Sequence, residues 1–165
     1  MGAGKTAFIN TISEIAVVNT DKPVSDEFRA LKADTTVAMD FGRLTIDEGL
    51  VLHLFGTPGQ VRFDFMWEIL STGMLGFIVL FDSCRPETCW NTRRIIDFFE
   101  AVGDVPYVIV ANKQDGRNAL APRDVGYILA LDRKTGDTVL PCVATEKEDV
   151  KRVLLALFEK MTGDE

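Results

Sequence analysis

The sequence contains one histidine, three cysteines, two tryptophans and two tyrosines in 165 residues. His53, the only histidine, falls in an apolar stretch and reads as a core or interface residue rather than a catalyst. Cys84, Cys89 and Cys142 are odd in number and lack the spacing of a zinc site or a disulfide framework, so they read as reduced thiols. Long apolar runs are absent too. The longest, Met74 to Phe81, is far shorter than the roughly 20 residues that span a bilayer as a helix. Basic residues are outnumbered, 18 against 25 acidic, for a formal charge of −7. That balance excludes the broad basic face that nucleic-acid binding needs, but not a small anion held by a few local donors. No signal peptide, prenylation signal, internal repeat, low-complexity tract or linker is visible, and a cytoplasmic location is the expectation.

Apolar residues make up 47% of the chain, enough for a sizeable core, and 1–165 reads as a single domain. The first distinctive stretch is Met1-Gly2-Ala3-Gly4-Lys5-Thr6. Its last five residues form the second half of a phosphate-binding loop, Gly-x-x-x-x-Gly-Lys-Thr. Glycines let backbone N–H groups turn inward around a phosphate, and a following helix adds the positive end of its dipole. In that pattern Lys5 reaches the outer phosphates and the Thr6 hydroxyl binds Mg²⁺. The first glycine and the preceding apolar strand are not in 1–165. The expectation is that Met1 is an internal methionine of a longer frame. Strands at about 50–55 and 74–82 are then expected to lack a shared neighbour.

Phe8, Ile12 and Ile15 recur at helical spacing, predicting a helix from about Gly4 to Ile15. Val18 to Asp34 reads as a surface loop. Thr36 to Ile46 alternates with period two, with a phase slip that predicts a bulge near Gly42. Asp47-Glu48-Gly49 predicts a hairpin turn into a strand at Leu50 to Phe55. Helices are expected at Phe63 to Leu70, from Pro86, at Pro122 to Leu131 and at Lys147 to Met161. The inner side of the helix after Pro86 is read as Ile95, Phe98, Phe99 and Val102. Buried strands are expected at Met74 to Asp82, Pro106 to Ala111 and Thr138 to Val143. Trp90 reads as core, and Trp67 as either core or a partner contact. Phe63, Phe65 and Met66 make the segment after Gln60 unusually apolar. Strands alternating with helices predict an α/β fold with a mostly parallel sheet and one antiparallel hairpin strand. Ligands of such sheets bind at the carboxyl ends of the strands.

Asn112-Lys113-Gln114-Asp115, directly after an apolar strand, is the most specific signal. A carboxylate at Asp115 accepts both the ring N–H and the exocyclic amine of guanine, a donor pair that adenine lacks. Asn112 would tie this loop to the phosphate loop, and the Lys113 stem would lie along the base. An ordinary polar turn is the competing reading.

With these motifs the chain resembles Ras-like small GTPases over nearly its whole length: a P-loop NTPase fold, built as a three-layer sandwich. Thr-Val-Ala-Met-Asp-Phe-Gly at 36–42 and Phe-Gly-Thr-Pro-Gly-Gln at 55–60 look like the prokaryotic branch of gliding-motility GTPases and GTPases encoded beside Roadblock-type proteins. The resemblance implies a GDP/GTP switch with Mg²⁺, GTP hydrolysis that is slow without a partner, and a Roadblock/LC7-type partner. It implies nucleotide contacts at Gly2, Ala3, Gly4, Lys5, Thr6, Ala7, Thr36, Gly59, Asn112, Lys113, Asp115, Ala144 and Thr145. Thr6 and Thr36 would bind the metal, with Thr35 competing for the role of Thr36. Gln60 would orient the attacking water and Lys5 would act beside it in catalysis. The sequence departs from the family at Gly56, where an acid that supports the magnesium site normally stands. Asp40 is the nearest candidate to replace it, an exposed hairpin acid being the competing reading. No arginine stands beside Thr36, where some gliding-motility relatives carry an arginine finger; Arg62 could serve instead, a surface arginine being the competing reading. A degenerate, non-hydrolysing module that scaffolds a partner is the alternative, and an ATPase a weaker third reading.

Overall fold

The computed structural model describes residues 2–19, 39–57, 64–131 and 139–163. Three strands carry the centre: β4 (Phe77–Asp82), β5 (Tyr107–Asn112) and β6 (Val139–Cys142), paired in parallel in that order. Their apolar runs are continuous because both faces are covered. Ile78, Leu80, Val108 and Val110 pack toward α1 (Lys5–Ile12) and α5 (Lys147–Thr162). Val79, Phe81, Ile109 and Ala111 pack on the other face, with Ile96 of α3 (Cys89–Val102) and Val125 of α4 (Pro122–Ile128). The strand–helix alternation predicts this mostly parallel sheet, and the family resemblance implies its three layers.

A second sheet is wholly antiparallel: β1 (Val18–Asn19), β2 (Asp40–Asp47) and β3 (Leu50–Gly56). β2 and β3 are joined at Glu48-Gly49, where Gly49 has φ +89°, as the expected turn requires. Among the described residues β3 and β4 share no neighbouring strand, and each ends its own sheet. The two sheets still share one core, since Leu44, Leu52 and Leu54 pack with Phe8, Ile12, Val150 and Leu154. The buried members, such as Val150 and Leu154, each contribute roughly 1.5–3 kcal/mol, and the half-buried leucines less.

Several expectations are corrected. The phase slip in β2 lies between Thr45 and Asp47, not at Gly42. Gly42 is small for another reason: a Cβ there would sit 2.4 Å from Ile9 Cγ2 of α1. The first helix ends at Ile12, because Ser13 turns extended and its Oγ accepts the Arg43 N–H. The stretch after Ile15, read as loop, supplies β1. On α3 Phe99 is buried as expected and Ile95 and Phe98 are half-buried, but the most buried row runs through Thr92, Ile96 and Phe99, and Val102 is exposed. Trp90 is also exposed (77%), two residues off that row. Trp67, on α2 (Asp64–Ser71), is core: it is 2% exposed and meets the rings of Phe98 and Phe99. Phe63 lies outside the described residues, as do the side chains of Phe65 and Met66.

Candidate functional site

The carboxyl ends of β4 and β5 and the start of α1 converge on one edge. Gly2 and Gly4 both have left-handed backbones, φ +89° and +96°, which only glycine adopts without strain. Gly4 is doubly required, because a Cβ there would lie 2.3 Å from the Asn112 amide nitrogen. That amide donates to the Ala3 carbonyl at 2.7 Å, while Asn112 Oδ1 accepts the Ala144 N–H at 2.9 Å. One buried side chain thus joins three loops, as its place in the motif predicts. The Thr11 hydroxyl strengthens the same junction, 2.7 Å from the Ala144 carbonyl.

Lys5 and Thr6 open α1 at its positive end. Burial holds the Lys5 ammonium below its ordinary pKa, an effect that the Asp40 charge opposes. Thr6 is exposed, and its Oγ1 donates to Asp40 Oδ2 at 2.5 Å. Asp40 is therefore a buried acid facing the phosphate loop, not one on the outer face of the hairpin. It stands directly across the ladder from Gly56. A Cβ at 56 would lie 3.0 Å from Ile9 Cδ1 and 3.1 Å from Asp40 Cβ. A side chain at 56 would therefore need Ile9 and Asp40 to give by a few tenths of an ångström, and the neighbouring strand brings the Asp40 carboxylate to the same strand end.

At the other end of the edge, Lys113 has φ +64°, a left-handed conformation uncommon for non-glycine residues. Its ammonium pairs with Asp82 at 2.6 Å. Asp115 is exposed, and so is Thr145 beside buried Ala144. Asp82 has no place in the sequence reading; its signal was an acid closing an apolar strand. Thr35, Thr36, Gly59, Gln60 and Arg62 lie outside the described residues. His53 is exposed on β3, in edge contact with Phe41. Burial pushes the Cys142 thiol up to about 11, and all three cysteines are free thiols.

A protein-family model described as "Conserved hypothetical ATP binding protein" matches residues 17–162. The chain belongs to that family. Among curated proteins, family membership is joined by similarity to ADP-ribosylation factor-like protein 3 of Saccharomyces cerevisiae, 29% identical over 161 residues, covering 90% of this chain and 75% of that protein. The uncharacterized protein MJ1339 of Methanocaldococcus jannaschii is 40% identical over 80 residues, covering 48% of this chain and 50% of that one. GTP-binding nuclear protein GSP1 of Encephalitozoon cuniculi is 28% identical over 119 residues, covering 71% of this chain and 52% of that protein. Among solved structures, the Arl6/BBS3 small GTPase of Trypanosoma brucei, bound to GppNp, superposes with a TM-score of 0.70 at 19% identity, covering 99% and 94% of the two chains. The family member described here therefore has the small-GTPase fold. Among the described residues no helix is long and apolar enough to cross a membrane.

Proposed function

We propose that this protein is a guanine-nucleotide switch that binds GDP and GTP with Mg²⁺ and hydrolyses GTP slowly, 1–165 acting as one domain. The observation that carries the reading is the Asn112 junction: one side chain fixes the phosphate loop at Ala3 and the base loop at Ala144, with Asp115 exposed beside it. That spacing suits a ligand with a base at one end and phosphates at the other. The family's printed description speaks of ATP. Asp115 favours guanine, since a carboxylate accepts two donors that only guanine presents.

In this reading the backbone N–H groups from Gly2 to Ala7 cradle the phosphates. Lys5 pairs with their outer oxygens, whose charge opposes the effect of burial on its ammonium. The residues present also fit Mg²⁺. Thr6 and Asp40 bring two oxygen groups together where the phosphates would end, a hard donor set of the kind this ion takes. Thr6 and Thr36 would hold the ion, with Asp40 supporting it from beside Thr6, and the bound ion would neutralise charge on the phosphate oxygens. Gln60 would hold the attacking water. With no arginine beside Thr36, unassisted turnover is expected near the roughly 10⁻⁴ s⁻¹ of unaided Ras-like proteins. Membership of the gliding-motility branch, a Roadblock/LC7-type partner and a cytoplasmic location belong to the same proposal. The branch and the partner rest on the wording of residues 36–42 and 55–60.

Displacement of fluorescent GDP tests the reading. GTP should displace it and ATP should not, and Gln60→Leu should slow hydrolysis without weakening binding. Equal displacement by ATP would overturn the guanine assignment. Unchanged hydrolysis in Gln60→Leu would favour a scaffold over an enzyme.

A further inference from the structure

Resting on the guanine-nucleotide reading, we propose that Asp82 is a positioning residue for the base: it holds Lys113 in place before any nucleotide arrives. β4 and β5 run parallel in register, so Asp82 lies beside Asn112 at the strand ends. It is 3% exposed. A buried carboxylate is costly unless its oxygens are satisfied, and both are. Oδ2 accepts the Lys113 ammonium at 2.6 Å, and Oδ1 accepts the Cys84 N–H at 3.1 Å.

The next two residues extend the clamp. Ser83, fully buried, accepts from the Gln114 amide at 2.9 Å through its hydroxyl. Its N–H donates to the Asn112 carbonyl at 3.1 Å, and its own carbonyl accepts the Leu120 N–H at 2.9 Å. Gln114 also donates to the Leu120 carbonyl at 2.9 Å. A Cβ on Gly116 would lie 2.3 Å from Cys84 Sγ, so the loop closes tightly against the strand end. Residues 82–84 therefore grip the loop from Asn112 to Gly116 through bonds that need no ligand.

Lys113 is the member of that loop with most freedom to lose: a long side chain on a left-handed backbone, 39% exposed. Pairing with Asp82 fixes the far end of the four-carbon stem as the backbone fixes its near end. In the proposal, an apolar stem already fixed at both ends gives the flat face of a base a surface to rest on without an ordering cost on binding. Asp82 itself touches no nucleotide in this scheme.

The test compares a ligand with a base to one without. Affinities for GDP and for Mg²⁺-pyrophosphate are measured on the full chain and on Asp82→Asn, which keeps the shape and the Cys84 acceptor but removes the charge. The expected result is GDP binding weakened about tenfold, with pyrophosphate binding within about twofold, the scale of one charge-assisted hydrogen bond. Equal losses for both ligands would mean a purely structural acid and would overturn the proposal, as would no loss at all. Lys113→Met should weaken GDP similarly, and adding Asp82→Asn to it should cost little more. Fully additive losses would contradict action through Lys113. If Asp82→Asn does not fold, the unaltered nucleotide-free protein still decides. Side-chain ¹⁵N NMR should show a restrained, slowly exchanging Lys113 ammonium, and a freely averaging one would overturn the proposal. Failure of the guanine reading would appear separately, as unaltered protein that prefers ADP to GDP, and Asp82 would then lose its proposed role with it.

Discussion

The two ends of the site are built differently. At the base end, the loop from Asn112 to Gly116 is held by hydrogen bonds with Asp82, Ser83, Leu120 and Ala144, and the Cys84 thiol donates to the Lys113 carbonyl at 3.8 Å, all within the chain. At the phosphate end, Thr6 and Asp40 satisfy each other, and Lys5 is buried enough to lower its pKa. The first arrangement needs nothing further. The second is a set of polar groups whose partners would be exchanged for phosphate and cation. On the proposed reading, base selectivity would be built into the fold, whereas phosphate and metal affinity would depend on an exchange made at binding.

Asn112→Ala should break the comparison most severely, because this side chain belongs to both ends. It removes two hydrogen bonds and leaves the Ala144 N–H buried and unpaired, at about 1–3 kcal/mol for each group lost. Nucleotide affinity measured by titration should fall at least about a hundredfold, with a lowered melting temperature. Asp40→Asn should affect one end only. The Mg²⁺ concentration that half-slows GDP release should rise about 10- to 100-fold, as for loss of a residue supporting a metal ligand. Selectivity for GDP over ADP should stay unchanged. If that selectivity fell in step with Mg²⁺ affinity, the two ends would not be separable.

The smallest effect concerns Cys142, under the Asn112–Ala144 junction. Its folded-state pKa is raised from 9.0 to about 11 by burial. The unfolded chain therefore ionises first. The stability tied to the neutral thiol is fully present below pH 9 and is lost as pH rises toward 11. Denaturant titrations across that window should show a decline on the order of 1–2 kcal/mol, absent in Cys142→Ala.

Much of this was legible in the sequence, for definite reasons. Asn112, Lys113 and Asp115 follow an apolar strand, and Gly4 precedes Lys5 and Thr6, so spacing alone placed both ends on one sheet edge. The hairpin announced itself through Asp47-Glu48-Gly49. Less legible was whatever depends on contacts distant in sequence. Asp82 closes an apolar run, and nothing local shows that Lys113 reaches it across the sheet. Gly42 looked like a bulge because close approach by α1 and a slip in register both call for glycine. Trp90 looked like core because aromatics usually are, yet the inner row of α3 passes two residues away. β1, two residues long, is too short to show any periodicity.

The separation of the two ends is tested most directly by measuring the ratio of GDP to ADP affinity with Mg²⁺ present and with Mg²⁺ chelated. Both affinities should weaken on chelation, and the ratio should stay constant, in favour of GDP, because Asp115 and its clamped loop are complete without the ion. A ratio that collapsed toward one on chelation would contradict the account and place selectivity in the phosphate end.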